Sequence, residues 1–103
     1  MDMESFKIDV YFGKQALRGH ERSWKVTWWL TTDMSYDSLV QKCNEALIAR
    51  FQNAHLPNYI LTINMLSGKV VTASNIGQAL TDAKLKGDVL MPVYNKRPDL
   101  QHL

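Results

Sequence analysis

The order in which hydrophobic periodicity changes along this chain restricts its fold more than any other feature. Apolar residues alternate over Ser5 to Phe12 and again over Ser23 to Thr31, switch to three- and four-residue steps from Ser35 to Ala54, and return to alternation from Tyr59 to Leu66. Period two marks a strand with one buried face, and steps of three and four mark a helix with one apolar stripe. Two strands, one long helix and a returning strand specify a sheet with a helix across one face. With 103 residues, 46% of them apolar and 21% charged, the chain reads as one domain with enough apolar surface for one core.

In the first strand Phe6, Ile8, Val10 and Phe12 are expected inward, with Lys7, Asp9 and Tyr11 outward. In the second, Trp24, Val26, Trp28 and Leu30 alternate with Lys25, Thr27, Trp29 and Thr31. The polar loop between them exceeds the roughly two to five residues of most hairpins, so it holds a bulge or carries function. Ser35 is placed to accept from the amide of Ser38, and Asp37 sits where the helix macrodipole favours an anion. Leu39, Val40, Cys43, Leu47, Phe51 and Ala54 form the apolar stripe, and Pro57 requires the helix to end before it.

The last third predicts more sheet. Tyr59, Leu61, Ile63 and Met65 alternate with Ile60, Thr62, Asn64 and Leu66, and Ser67-Gly68-Lys69 turns the chain into the β-branched run Val70-Val71-Thr72. Ser74 is expected to cap a short helix through Ile76, Ala79, Leu80 and Ala83 that ends near Gly87. Asp88 to Tyr94 is the final strand, with Val89, Met91 and Val93 on one face and Pro92 where no donor is needed. The domain is expected to span residues 1–95, with a flexible polar tail over 96–103.

A lone Cys43 excludes an internal disulfide, and His20, His55 and His102 have no second ligand at zinc-like spacing, so neither a metal nor another cofactor is expected. The expected location is the reducing interior of the cell, cytoplasmic or nuclear. No apolar run reaches the roughly 20 residues of a membrane span, and the N-terminus lacks a signal-peptide pattern. A net charge of +2 is too small to imply nucleic acid by itself, which directs attention to how the charges are distributed.

Two strands, helix, two strands, short helix and strand is the pattern of the β-grasp, and over roughly residues 5–95 the chain resembles the ubiquitin-like superfamily. The segment Thr32 to Cys43, with its hydroxyl cap four residues before Leu39, is similar to the family's helix start. Tyr59 to Gly68 looks like its third strand and turn, and Gly87 to Tyr94 like its closing strand. The resemblance rests on element order, without a diagnostic motif. It implies an α+β, β-grasp fold: a mixed sheet of four to five strands, one long helix packed across one face and a short second helix.

Two branches of that superfamily carry different expectations. Conjugated modifiers and sulfur carriers end in a pair of glycines, whereas this sequence ends Arg97 to Leu103, so attachment is not expected. The Phox-and-Bem (PB-one) interaction domains dock a basic face of their first two strands onto an acidic loop of a second domain. Lys7 and Lys25, with Arg22 nearby, look like that basic face, while no Asp or Glu occurs from Ala46 to Thr81 to supply the acidic one. The resemblance therefore implies a partner that is acidic or is another β-grasp domain. Val71 to Ser74 followed by Ile76, Ala79 and Leu80 is similar to the late helix of that family, without its usual acids.

The candidate partner-binding residues are Lys7, Tyr11, Arg22, Lys25, Trp29, Ile60 and Leu66. The three cations more often mark only the solvated face of a hairpin. Trp29 falls on the outer face if Trp24 and Trp28 face the core, where it is an interface anchor unless the tail or the long loop covers it. Ile60, Leu66 and Leu90 fall on the same nominal face and would extend it into an apolar patch, unless the register turns some of them inward. Cys43 reads as core, His55 as a partner for helix-end carbonyls, and no paired carboxylates or phosphate-cradling loop are present, so no catalysis is expected. The leading expectation is a noncatalytic adaptor or scaffold domain that binds a protein through its sheet face, compatible with self-association. The alternatives are an accessory subunit of a larger enzyme complex, or a nucleic-acid binder using Lys14, Arg18, His20, Arg22 and Lys25.

Overall fold

The computed structural model describes residues 5–13, 23–52 and 55–100. Strands β1 (Ser5–Phe12) and β2 (Trp24–Thr31) pair antiparallel over their whole length, from Ser5 opposite Thr31 to Phe12 opposite Trp24. Helix α1 (Tyr36–Arg50), strand β3 (Tyr59–Met65), strand β4 (Val70–Val71), helix α2 (Ile76–Lys86) and strand β5 (Val89–Lys96) follow. Short 3-10 turns occupy Leu56–Asn58 and Pro98–Leu100. The architecture is α+β, with five strands in the order β2-β1-β5-β3-β4; β5 is parallel to β1 and antiparallel to β3, which makes the sheet mixed.

Each helix has a local cause. The Ser35 hydroxyl accepts from the Ser38 amide at 3.1 Å, satisfying one of the free donors at the start of α1, and Asp37 and Arg50 sit at the ends that suit their charges. The helix stops at Arg50, earlier than the periodicity implied. Phe51 adopts φ −127° and ψ 81° and its ring packs edge-on to Trp24 at 5.2 Å, so a tertiary contact ends the helix before Pro57 can. The expected end at Ala54 lies outside the described residues. At α2 the capping position is Asn75 and not Ser74. The Asn75 side chain is committed elsewhere: it accepts from the Thr72 amide and donates to the Val70 carbonyl, each at 2.8 Å, tying β4 to the helix start. Gly87, at φ +77°, ends α2 in a conformation that side chains disfavour.

The inward rows of all five strands meet both helices in one core. Phe6, Ile8, Val10 and Phe12 pack with Leu30, Ile63, Met65, Val71, Leu90 and Tyr94, against Leu39, Cys43 and Leu47 of α1 and Ile76, Ala79, Leu80 and Ala83 of α2. Both helices therefore cover the same face. Strand β5 reverses the expected inward face. Leu90, Pro92 and Tyr94 are buried, and Val89, Met91 and Val93 are the half-buried outer row. Leu90 is consequently core and not part of an outer patch. A central strand is apolar on both sides, so alternation alone does not say which side meets the helices.

Pro92 fits this central position because the parallel ladder to β1 runs only through Asp9–Val89 and Val10–Leu90, just short of it. The ladder to β3 passes Pro92 and continues to Tyr59 opposite Lys96, two residues beyond the expected strand end at Tyr94. Arg97 then donates its amide to the Asn58 carbonyl at 2.9 Å and its Nε to the Pro57 carbonyl at 2.6 Å, so the chain stays attached past the strand.

Two glycines give opposite predictions. Gly77 lies within α2 with open space where a Cβ would go, whereas Gly87 has equal space but a positive φ. Gly77→Ala is expected to stabilise the fold by about 0.5 kcal/mol, and Gly87→Ala to destabilise it by about 1 kcal/mol or more. Urea unfolding of the two variants beside the wild type measures both, and equal effects of either sign would contradict the assigned backbone.

Candidate functional site

One face of the sheet is left open by the described elements. Its outer row on β1 is Ser5, Lys7, Asp9 and Tyr11, all exposed, and on β2 it is Lys25, Thr27, Trp29 and Thr31. The ladder sets Lys7 opposite Trp29, Asp9 opposite Thr27 and Tyr11 opposite Lys25. The Thr27 hydroxyl donates to Asp9 Oδ1 at 3.1 Å, holding a carboxylate between the two lysines. The surface is thus a mixture of charges around aromatic rings and not a purely basic face. Arg22, with Lys14, Arg18 and His20, lies outside the described residues.

Trp29 is 64% exposed, Leu66 65%, Ile60 47% and Tyr11 38%, so four of the anchors expected from alternation do face solvent. They do not form one spot. Trp29 pairs with Lys7, two residues below Asp9, which pairs with Val89, while Ile60 pairs with Asn95, six residues above Val89, on a strand three across from that of Trp29. At roughly 3.3 Å per residue and 4.8 Å per strand, Trp29 and Ile60 are about 30 Å apart, at opposite corners of the face. Leu66 sits in the turn after β3, where its amide donates to the Val89 carbonyl at 2.9 Å. What joins these corners is the outer row of β5, missed because that strand was read the other way round. Val89 lies beside Asp9, the same register carries Met91 alongside Tyr11, and Met91 and Val93 pair with Asn64 and Thr62 of β3. Exposed Val70 of β4 pairs with Asn64 and extends the apolar surface toward that edge.

Comparison with protein-family models, with curated proteins and with solved structures gives no match. The function has to be argued from this geometry.

The other chemically interesting groups are engaged in structure. Cys43 is buried in α1, and burial pushes its thiol up to about 12, with Lys42 pulling slightly the other way. A thiol held protonated at neutral pH is a poor nucleophile. Tyr94 donates its hydroxyl to Asn44 Oδ1 at 2.7 Å, and burial, then the neighbouring Cys43, raise its phenol above the usual range. His55 lies immediately before the 3-10 turn that follows the helix. A depression of about 250 Å³ lies between the β3–β4 turn and α2, and four of its lining residues bind one another in pairs. Lys69 Nζ meets Asp82 Oδ2 at 3.1 Å, and Ser67 Oγ meets Asp88 Oδ2 at 2.7 Å. The hydrogen bond from Lys69, then that from Gln78, hold the Asp82 carboxyl below its usual range. Among the described residues no group of three or more His, Cys, Asp or Glu is placed to hold a metal, and no helix is long and apolar enough to cross a membrane.

The thiol supplies a prediction. An unfolded cysteine ionises near pH ~8.5, whereas native Cys43 keeps its proton to about 12, so its contribution to stability is complete below the first value and is lost as pH rises toward the second. Wild type is expected to lose stability relative to Cys43→Ala between those limits in urea titrations at stepped pH. Native Cys43 should also react with a thiol reagent far more slowly than the urea-unfolded chain, and equal rates would show that the thiol is accessible.

Proposed function

We propose that this chain is a noncatalytic protein-interaction module of ubiquitin-like β-grasp type, which binds a partner protein through the uncovered face of its sheet. The strand order β2-β1-β5-β3-β4, with β1 parallel to β5 and both helices on one side, is compatible with a β-grasp. The observation that carries the functional reading is the one-sided coverage. An exposed Trp29 and Tyr11, the half-buried Val89, Met91 and Val93, and exposed Ile60, Leu66 and Val70 lie on the face opposite the helices. Scattered single apolar side chains are ordinary on a surface, but a row of aliphatics on the central strand β5, adjoined by Tyr11 on β1, is the composition of an interface core. Lys7, Lys25 and Asp9 supply a charged rim that orients an approaching partner. This reading needs no cofactor, and a reducing compartment suits the free Cys43.

The reading is tested by affinity capture from native lysate with three versions of the chain. Wild type and Lys84→Glu, altered on the exposed surface of α2, are expected to retain the same proteins. Trp29→Ala combined with Met91→Asp is expected to lose them, with far-UV circular dichroism confirming that it remains folded. Desolvated aromatic anchors are commonly worth about 2 kcal/mol or more, so retention should fall by roughly thirtyfold. Retention unchanged by the face variant, or lost equally in Lys84→Glu, would reject the sheet face as the binding surface.

A further inference from the structure

Cysteine and methionine sulfur is where mild oxidants act on a protein, and its placement in this fold is uneven. Among the described residues, Met65 is 3% exposed in the core and Met34 is packed against that core. Cys43 is buried in α1, and burial pushes its thiol up to about 12, so it offers little of the thiolate that peroxides attack. Met91 differs from all three. It stands half-buried in the outer row of β5, on the face that neither helix covers. Its side chain therefore meets solvent without any opening of the fold.

The backbone beneath Met91 is held by β3. Met65 turns its amide toward β4, donating to the Lys69 carbonyl at 2.8 Å, while Leu66 turns the other way and donates to Val89 of β5 at 2.9 Å. Strand alternation then gives Asn64 the same direction as Leu66, so Asn64 and Met91, directly opposite, exchange both backbone hydrogen bonds. Pro92 falls in the next pair, opposite Ile63, which needs no amide on that side. On the open face the Asn64 and Met91 side chains are neighbours, with Cβ atoms roughly 5 Å apart. The Asn64 carboxamide makes no hydrogen bond to another described residue, which leaves its Nδ2 able to donate to an oxygen carried on the Met91 sulfur. Val89 and Val93 flank Met91 on the same row, and Tyr11 lies alongside on β1.

We propose that Met91 is a site of reversible oxidation by peroxides, and that its sulfoxide weakens partner binding at the open face while leaving the fold intact. The inference rests on the open face being the binding surface. In the forward step the thioether sulfur attacks one peroxide oxygen, the O–O bond breaks, an S–O bond forms and the other oxygen leaves as water. Sulfur gives up two electrons and the peroxide takes them. The product sets a strong acceptor in the middle of an apolar row where a weak one stood. A partner closing over it must strip water from the sulfoxide oxygen, and Asn64 replaces only part of what water supplied. In the reverse step a methionine sulfoxide reductase restores the thioether at the expense of a dithiol, which ends as a disulfide while the oxygen leaves as water.

The test treats the native chain with dilute hydrogen peroxide, removes the excess with catalase and maps oxygen uptake by peptide mass spectrometry. Met91 is expected to react roughly tenfold or more faster than Met65, and the two rates should converge in urea. Amide chemical shifts should change at Tyr11, Asn64 and residues 89–93, with the far-UV circular dichroism unaltered. Capture from native lysate should fall roughly tenfold with the oxidised chain and return after treatment with the reductase and dithiothreitol. Met91→Leu, which has no sulfur at this position, should retain equal amounts before and after peroxide. The switch is overturned if Met91 oxidises no faster than Met65, if its sulfoxide unfolds the chain, or if peroxide lowers capture by Met91→Leu as it does by wild type. It is also overturned if the oxidised wild type keeps partners that Trp29→Ala combined with Met91→Asp loses. Partners kept by that double variant as well reject the open face itself, and the switch with it.

Discussion

The parallel pairing of β1 with β5 is the constraint on which the rest of the structure depends. Adjacent parallel strands cannot be joined by a tight turn, so the chain between them must leave the sheet and return to it. Here that intervening chain contains both helices, and their buried residues share one core with the inward rows of the strands. Crossing on a single side concentrates the apolar surface where it is most effective. It also leaves the opposite face without cover from any described helix. The open face is thus a topological consequence of how the first and last strands meet, and its apolar composition is the part that needs a functional explanation.

An aromatic cluster fixes the other end of the architecture. Phe12 stacks on Trp24 with ring centroids 4.6 Å apart and meets Trp28 edge-on at 6.1 Å, while Phe51 approaches Trp24 from the end of α1. Aromatic pairs in such geometries contribute about 0.5–1.5 kcal/mol beyond the area they bury. The cluster joins β1, β2 and the last turn of α1 at one corner, which sets the spacing between helix and edge strand. The Arg50 guanidinium stands over the Trp24 ring and the Lys42 ammonium over that of Trp28. The same contacts therefore stabilise the corner and give it a positive rim.

Much of this was legible in the sequence wherever one face of an element is apolar and the other polar. Strand β1 alternates cleanly, so Phe6, Ile8, Val10 and Phe12 were assigned to the core without tertiary information, and the Ser35 cap marked the start of α1. The reading failed where both faces are apolar. Val89 to Tyr94 offers no polar row except the phenol, and the phenol proves to be buried because Asn44, fifty positions away, accepts its hydrogen bond. No local pattern announces that partner. The end of α1 was obscured for a similar reason: Phe51 continues the apolar stripe, yet its contact with Trp24 is made by leaving the helix. At α2, Ser74 and Asn75 are both good capping residues, and the choice between them is settled by the position of Thr72 and the carbonyl of Val70 on β4. The inverted reading of β5 also hid the central part of the open face, since Leu90 was placed on the outer face and Met91 and Val93 on the other.

The two uncovered surfaces differ in what they offer a second chain. The open face presents side chains over paired backbone, so its affinity depends on shape and apolar area. The β2 edge presents backbone groups, which pair with almost any extended chain unless something discriminates. Lysine on an edge strand is a common device against self-pairing, and β2 carries an exposed Lys25.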